Sequence, residues 1–127
     1  MYYSIKEVSE KICLPPHVLR YYEKEGLLPS ITRSESGIRR YTDADLEWLG
    51  LVLCLKNTGM SIKQIKSFVE LSIEGDKTLE LRCKLLSEHK KNVEIKMAEM
   101  AGHLEIVTHK LEYFKDQYDR YLKSKSQ

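Results

Sequence analysis

A chain of 127 residues with 42% hydrophobic and 31% charged residues has the composition of one small globular protein, neither disordered nor membrane-embedded. Its net charge of +2 does not by itself indicate a nucleic-acid partner, because such affinity depends on where lysine and arginine cluster. The start of the chain lacks a secretion signal and no apolar run reaches the roughly 18 residues of a membrane span. We therefore expect a cytoplasmic protein without membrane contact. Three widely spaced cysteines without a C-x-x-C pair predict neither a disulfide framework nor a structural zinc site: Cys13, Cys54 and Cys83.

The first elements in the chain are two short helices separated by a break. Ser4 and Glu7 form a capping-box pattern that begins the first helix, whose apolar positions continue to Ile12. A pair of prolines then interrupts the chain, and Pro16 suits the first turn of a second helix that ends near Gly26. Two short helices joined by a tight break predict a helix-turn-helix.

The segment after the second helix predicts a β-hairpin. Leu28 to Ile31 and Ile38 to Tyr41 can pair around a turn at Ser34 to Gly37. Basic side chains cluster in this segment: Arg33, Arg39 and Arg40. A hairpin of this kind beside a helix-turn-helix is a wing.

Two further helices follow the hairpin. A capping-box pattern at Thr42 and Asp45 begins a third helix that reaches about Asn57, and Ser61 begins a fourth that reaches about Glu74. Apolar residues at helical spacing predict their buried faces: Trp48, Leu49 and Val52 on the third, and Ile62, Ile65, Phe68, Val69 and Ile73 on the fourth. We therefore expect a winged helix-turn-helix domain over residues 1–75.

The remaining chain predicts one long helix with a coiled-coil seam. Positions in alternating steps of four and three residues are apolar apart from one lysine: Leu79, Cys83, Leu86, Lys90, Val93, Met97, Met100, Leu104, Val107, Leu111, Phe114, Tyr118 and Tyr121. A period of 3.5 predicts supercoiling with a partner helix, and at about 1.5 Å per residue the helix would be about 65 Å long. Because a small domain cannot bury so long a stripe, we expect a homodimer. The expected organisation is an antiparallel coiled-coil helix over residues 76–122 and a short tail over 123–127, so that the fold is mainly α.

Several short motifs occur in one order along the chain: Leu19-Arg20-Tyr21-Tyr22-Glu23, Gly26-Leu27-Leu28, Gly37-Ile38-Arg39-Arg40-Tyr41, Asp45-Leu46, Leu53-Cys54-Leu55-Lys56 and Gly59-Met60-Ser61-Ile62. In this order and spacing the set closely resembles the MerR family of transcription regulators, and the resemblance covers essentially the whole chain. It implies a winged-helix dimer whose antiparallel coiled coil separates two heads. It also implies that the dimer binds a pseudo-palindromic operator in a promoter spacer that is too long, and bends and undertwists it to align the promoter elements for RNA polymerase. Such recognition works through DNA deformation, with base contacts setting the register.

The resemblance and the helix-turn-helix together give a set of candidate DNA-binding residues: Arg20, Tyr21, Tyr22, His17, Arg33, Arg39, Arg40 and Tyr41. Arg20 lies early in the second helix, where side chains reach base edges; the alternative is a surface salt bridge to Glu23. Adjacent helical residues point about 100° apart, so one tyrosine of the Tyr21-Tyr22 pair is expected to pack while the other faces DNA. Family members usually cap this helix with Ser or Thr, and Pro15 in that place loses a side-chain cap and one possible phosphate contact.

The wing arginines are expected to contact phosphate, which fixes position without reading sequence. On a strand, Arg39 and Tyr41 would share one face while Arg40 lies on the other. The alternative is a solvated charged turn.

Cys54 is a candidate thiol sensor. Its context from Leu53 to Asn57 is similar to a MerR subgroup associated with aldehyde and thiol stress, in which a cysteine at this point is proposed as the sensor. Sensing requires an accessible thiolate of lowered pKa; the alternative is a small apolar core residue. We expect no metal and no cofactor, because no cysteine follows Cys83 to supply the second thiolate that a soft metal would want.

Two other classes of function remain as alternatives. A structural or architectural coiled-coil DNA-binding protein would lack an effector response, but it leaves the arginine-bearing head unexplained. An enzyme using Cys54 would need a base, an orienting group or a nucleotide loop, and no such motif accompanies the thiol. The sequence therefore predicts a regulator that is not an enzyme, with promoter DNA and RNA polymerase as its partners.

Overall fold

The computed structural model describes residues 1–28, the backbone of residues 32–33, and residues 37–126. The chain divides into two compact units, an N-terminal unit Met1–His89 and a C-terminal unit Lys90–Gln127. The elements in chain order are β1 (Tyr2–Tyr3), α1 (Ile5–Ile12), α2 (Pro16–Lys24), β2 (Thr32–Arg33), β3 (Arg39–Thr42), α3 (Asp43–Asn57), α4 (Ile62–Glu74), a single 3-10 turn (Asp76–Thr78) and α5 (Leu79–Lys125). The mainly α fold with a long C-terminal helix is thereby confirmed.

The predicted helix starts are confirmed by their capping contacts. The hydroxyls of Ser4, Thr42 and Ser61 each accept a hydrogen bond from the backbone N–H three residues on, and the side-chain oxygen of that third residue accepts one from the backbone N–H of the cap residue. At α2, Pro15 occupies the cap position without a side-chain hydrogen bond, and Pro16 begins the helix. The helices of the N-terminal unit are therefore set by local sequence.

β3 is the central strand of a small antiparallel sheet. It pairs with β1 through Tyr2 opposite Thr42, and with β2 through Thr32 opposite Arg40. Of the predicted first hairpin strand at Leu28 to Ile31, Leu28 is a core residue outside any strand, and residues 29–31 lie outside the described residues. The strand that pairs with β3 here is Thr32–Arg33. The apolar side chain of Leu28 serves burial in the core and does not mark a strand that pairs with β3. Residues 34–36 of the predicted turn likewise lie outside the described residues.

The core of the N-terminal unit is formed by side chains from all of its helices and from β3. Its fully buried members include Val8, Leu19, Tyr22, Leu27, Tyr41, Leu49, Val52, Ile65 and Val69. Trp48 lies at the edge of the core, where its indole Nε1 donates to the Leu27 carbonyl at 2.9 Å and its ring stacks on Phe68 with centroids 6.2 Å apart. Ile73, predicted to belong to the buried face of α4, is exposed in the last turn of that helix.

The beginning of α5 belongs to the N-terminal unit. Arg82 donates to the Thr78 hydroxyl at 3.0 Å and to the Gly75 carbonyl at 2.9 Å, and Leu85 and Leu86 pack against the core. His89 Nε2 lies 2.7 Å from Thr58 Oγ1. The compact unit thus continues beyond residue 75, where the predicted boundary lay.

The C-terminal unit consists mainly of the rest of α5, from Lys90 onward. None of the described residues of this helix is buried, and large apolar side chains along its seam are more than half exposed: Met97, Met100, Leu104, Val107, Leu111, Phe114, Tyr118 and Tyr121. Within the described part of the chain, no helix combines the length and apolar character that a membrane crossing requires.

Candidate DNA-binding surface

One face of α2 is exposed along the whole helix. His17, Arg20, Tyr21 and Lys24 are all exposed, and their spacing of three, four and seven residues places them on one side of a helix. We call these four residues the α2 outer face. Leu19 and Tyr22, which are buried, hold the opposite side of α2 against the core.

Arg20 is the central basic residue of the α2 outer face. Within the described part of the chain its guanidinium makes no hydrogen bond or ion pair, and its side chain is exposed. The alternative assignment, a salt bridge to Glu23, is not what the structure describes, since Glu23 pairs with Arg39. Arg20 is thus available to an external acceptor.

Arg39 connects the strand β3 to α2. Its guanidinium Nε donates to the Glu23 carboxylate, and both side chains are largely shielded from solvent. Because a charge-assisted hydrogen bond is stronger than a neutral one, this contact fixes β3 relative to the helix that carries Arg20. Arg39 therefore links β3 to α2 through Glu23, and its predicted contact with phosphate stays a prediction.

Arg40 lies on the other side of β3. Its guanidinium carbon lies 5.1 Å from the centroid of the exposed Tyr2 ring, a cation–π distance. Strand alternation accounts for the opposite directions of Arg39 and Arg40. Arg33 stands opposite Arg39 in the backbone pairing, while its side chain lies outside the described residues.

Two tyrosines predicted to contact DNA, Tyr22 and Tyr41, are buried in the core of the single chain, so their contact with DNA stays a prediction. Tyr22 and Tyr41 are each 1% exposed, whereas Tyr21 is 46% exposed, so one member of the Tyr21-Tyr22 pair packs and the other faces outward. The Tyr22 hydroxyl accepts a hydrogen bond from Lys56 Nζ at 3.0 Å. Tyr22 is the member of the pair that packs, and its spacing of three residues from the buried Leu19 on the same helix is the signal for its burial.

The hydroxyl of Tyr41 is a buried polar group with no hydrogen-bond partner in the described part of the chain. Burial raises the pKa of this phenol, and the nearby Glu23 carboxylate raises it further, while Arg39 and Arg20 act in the opposite direction. Tyr41 therefore stays neutral, and it lies within electrostatic range of the groups that hold β3 and α2 together.

Lys24 was not predicted to belong to this surface. The signal that identifies it is its position four residues after Arg20, which stacks two like charges on one helix face. Like charges in that arrangement destabilise a helix slightly, and a polyanionic partner would offset their repulsion.

Cys54 lies on α3 with an exposed side chain. The alternative that it is a core residue is therefore wrong for the single chain. Its backbone carbonyl accepts a hydrogen bond from the Thr58 hydroxyl at 2.7 Å, and Cys13 and Cys83 are exposed as well. Among the described residues there is no group of three or more His, Cys, Asp and Glu side chains placed to hold a metal ion.

Residues 3–71 match the family of MerR HTH regulatory proteins. The chain belongs to this family. It is 47% identical to an uncharacterised HTH-type transcriptional regulator of Haemophilus influenzae. The alignment spans 114 residues, which are 90% of this chain and 84% of that protein. It is 36% identical to the HTH-type transcriptional regulator AdhR of Bacillus subtilis, over 71% of this chain and 64% of that protein.

Solved structures give the same result. The chain is similar to HiNmlR, a MerR family regulator lacking the sensor domain whose crystal structure contains promoter DNA, with 46% identity, a TM-score of 0.87, and coverage of 91% and 92% of the two chains. A MerR family regulator from Bacillus thuringiensis is 39% identical with a TM-score of 0.81, over 87% of this chain and 97% of that one. The predicted function as a DNA-binding transcription regulator of MerR type is thereby confirmed, and the relatives are transcription regulators rather than enzymes.

Proposed function

We propose that the protein acts as a homodimer that binds a pseudo-palindromic promoter operator, bends and undertwists it, and thereby controls initiation by RNA polymerase. The observation that carries this proposal is the α2 outer face, where an exposed arginine, tyrosine, lysine and histidine share one side of the second helix of a helix-turn-helix. Side chains at this place in the motif reach the major groove. A homodimer would present two such helices to two half-sites.

The basic residues divide between two tasks. Arg20 is exposed on the helix that would enter the groove, and an arginine there can donate two hydrogen bonds to guanine. Arg40 on β3 and Arg33 in the wing would bind phosphates, which fixes the position of the protein without reading sequence. Arg39, which is paired with Glu23, would act by holding β3 against α2.

Arg20→Ala tests the assignment of α2. The variant should bind the promoter of its own operon about 10- to 100-fold more weakly, since a bidentate base contact contributes about 1–3 kcal/mol, and it should lose preference over random duplex. Lys63→Ala is the control, because it also removes one exposed positive charge, but from α4. The readout is a gel-shift titration at fixed salt. If the wild-type protein showed no preference over random duplex at moderate salt, the architectural alternative would replace the regulator.

The proposed signal is a reactive electrophile such as an aldehyde, received by the Cys54 thiol. What supports it is the exposure of Cys54 on α3, together with the similarity of the sequence around it to the subgroup that responds to aldehyde and thiol stress. Cys54→Ser should abolish the change in promoter activity that an aldehyde causes in a reporter strain, while Cys13→Ser, another exposed cysteine, should leave it intact. A response that persists in Cys54→Ser eliminates this thiol as the sensor.

A further inference from the structure

The C-terminal unit presents an uncovered apolar seam, and the charges beside the seam select how a second chain fits onto it. We infer that two copies pair antiparallel in one register, in which Leu104 of each chain faces the partner's Val107 and Lys90 of each chain faces the partner's Tyr121. The inference rests on the proposed homodimer, whose antiparallel orientation the family resemblance already implies, and adds the alignment of its two helices.

The seam consists of two alternating rows of positions on α5. In heptad notation the a row is Lys90, Met97, Leu104, Leu111 and Tyr118, and the d row is Val93, Met100, Val107, Phe114 and Tyr121. Every one of these side chains from Met97 onward is more than half exposed, although such rows are the positions that a coiled-coil partner buries. An exposed seam with heptad spacing fits a second helix of the same kind.

A parallel, in-register pair is unfavourable for this sequence. It would place Lys90 against the partner's Lys90 in one layer of the core, because a residues face a residues in that geometry. It would also set Lys110 beside the partner's Lys115 across the edge of the seam. The Lys90 contact would be buried in the seam, and the contact between Lys110 and Lys115 would occur on both edges of the pair. Both repulsions oppose the parallel orientation.

An antiparallel pair places each a residue opposite a d residue, and alignments one heptad apart are distinguished by the residue that faces Leu104. With Met100 opposite, Lys96 would lie beside the partner's Lys110 on both sides of the dimer. With Phe114 opposite, Lys110 would lie beside the partner's Lys110. Both alignments bring lysines together along the edge of the seam, where charge decides partner choice and orientation.

The alignment with Val107 opposite Leu104 replaces these repulsions by an attraction. Glu94 and the partner's Lys115 occupy facing edge positions, and the twofold symmetry of the pair gives two such contacts. In the same alignment the seam is paired from Lys90 to Tyr121 without interruption, and Met97 faces the partner's Phe114, a favourable sulfur–aromatic combination.

Tyr121 is a suitable neighbour for the one charged residue of the seam. A lysine can lay its methylene groups along an apolar surface while its ammonium remains near solvent, and a tyrosine ring attracts that ammonium. The Tyr121 ring already does so within one chain, where Lys125 Nζ lies 5.1 Å from the ring centroid. At the facing position Lys90 therefore meets an aromatic ring, whereas the parallel, in-register pair places the partner's Lys90 there.

Cysteine cross-linking distinguishes the three antiparallel alignments. Ala101 and Thr108 lie at edge positions one heptad apart. In the proposed alignment, position 101 of one chain lies beside position 108 of the other, whereas the Met100 alignment brings the two 101 positions together and the Phe114 alignment the two 108 positions. The background is the full chain with serine at the three native cysteines: Cys13, Cys54 and Cys83.

Ala101→Cys and Thr108→Cys chains should be joined by a short bismaleimide only when the two are co-expressed. A covalent dimer from either variant alone, or none from the pair, overturns the proposed alignment. If sedimentation showed the wild-type chain to be monomeric at all concentrations, the proposed homodimer would fail together with the alignment. If it showed a dimer with a different cross-linking pattern, only the alignment would fail.

Charge reversal gives an independent test. Glu94→Lys and Lys115→Glu should each weaken the dimer about fivefold, as two exposed ion pairs would predict, and the double variant should recover most of the loss. Glu99→Lys combined with Lys115→Glu is the control, since Glu99 lies away from the seam and should give no recovery. A double variant of Glu94 and Lys115 no tighter than the weaker single variant overturns the alignment.

Discussion

The two units of the chain contain similar kinds of apolar residue but differ in what covers them. In the N-terminal unit a cluster of hydrophobic side chains reaches nearly complete burial, because four helices and a strand of the same chain cover one another. In the C-terminal unit the described seam residues remain exposed, because one helix has no second element of its own chain to pack on. Helical periodicity of apolar residues therefore predicts burial in both units, but in only one of them does the described chain itself supply the covering side chains.

This difference separates two kinds of stability. The N-terminal unit should unfold at a denaturant concentration that does not depend on protein concentration, since its core needs no second molecule. The C-terminal helix should gain its stability by mass action, because a partner helix that binds the folded state shifts the equilibrium. Comparisons of substitutions in the two units therefore need to be made over a range of protein concentrations.

The largest expected effect is the loss of the dimer on Leu104→Lys. Leu104 is 65% exposed and Ile106 is 61% exposed in the single chain, so exposure alone predicts the same tolerance for a lysine at both. Only Leu104 lies on the seam, where the substitution would place one lysine from each chain of the dimer against apolar neighbours. Leu104→Lys should weaken dimerisation at least about 1000-fold, or about 4 kcal/mol, as measured by sedimentation equilibrium.

Ile106→Lys is the matched control, and its dimerisation should change little. The N-terminal unit should keep its cooperative unfolding in both variants, and operator affinity should fall only in the Leu104 variant. Equal losses in the two variants would contradict the division between a seam and an outer surface on α5.

The helices could be predicted from the sequence because their signals are local. Capping residues such as Ser4, Thr42 and Ser61 lie within four residues of the groups they satisfy, so no tertiary information is needed. The strands could not be placed as well: β1 has only two residues, and its partner β3 lies about forty residues on, so neither length nor alternation reveals the pairing.

The candidate site was predictable in part for the same reason. Helical spacing assigns Arg20 and Tyr21 to one face of α2, and the same spacing extends to Lys24. The pairing of Arg39 with Glu23 joins residues sixteen positions apart, and no periodicity predicts it. Only the fold, which brings β3 against α2, reveals that contact.

Within the N-terminal unit, two buried tyrosines allow a smaller comparison. Tyr22 has a hydroxyl that accepts from Lys56 at 3.0 Å, whereas the Tyr41 hydroxyl has no partner in the described residues. Tyr22→Phe should lower the free energy of unfolding by about 1 kcal/mol, the usual net contribution of one hydrogen bond. Tyr41→Phe should leave it unchanged or raise it by up to about 1 kcal/mol, because it removes an unsatisfied buried group.

Urea denaturation monitored by tyrosine and tryptophan fluorescence or circular dichroism measures both changes. A larger loss for Tyr41→Phe than for Tyr22→Phe would mean that the Tyr41 hydroxyl is satisfied in solution. Operator affinity measured on the same variants separates that case from DNA contact, since a phosphate partner for Tyr41 would lower affinity without lowering stability.

The smallest expected effect concerns the pH dependence of the first helix. The pKa of Glu7 lies below its ordinary value because its carboxylate accepts hydrogen bonds from the Ser4 backbone N–H and from the Ser4 side chain. A carboxyl whose pKa is lowered by folding stabilises the folded state above its unfolded pKa, and this contribution disappears as the pH falls through the lower folded value. Glu7→Gln keeps an acceptor for the Ser4 N–H but does not titrate. The wild-type protein should therefore be more stable than Glu7→Gln at neutral pH, and the difference should vanish on acidification below the ordinary glutamate value of 4.5.

Urea titrations across this pH range, at two protein concentrations, measure the difference, with Glu10→Gln on the same helix as the control. A difference that stays constant with pH would show that Glu7 stabilises α1 by means other than its charge, and one that varies with protein concentration would place the effect outside the N-terminal unit.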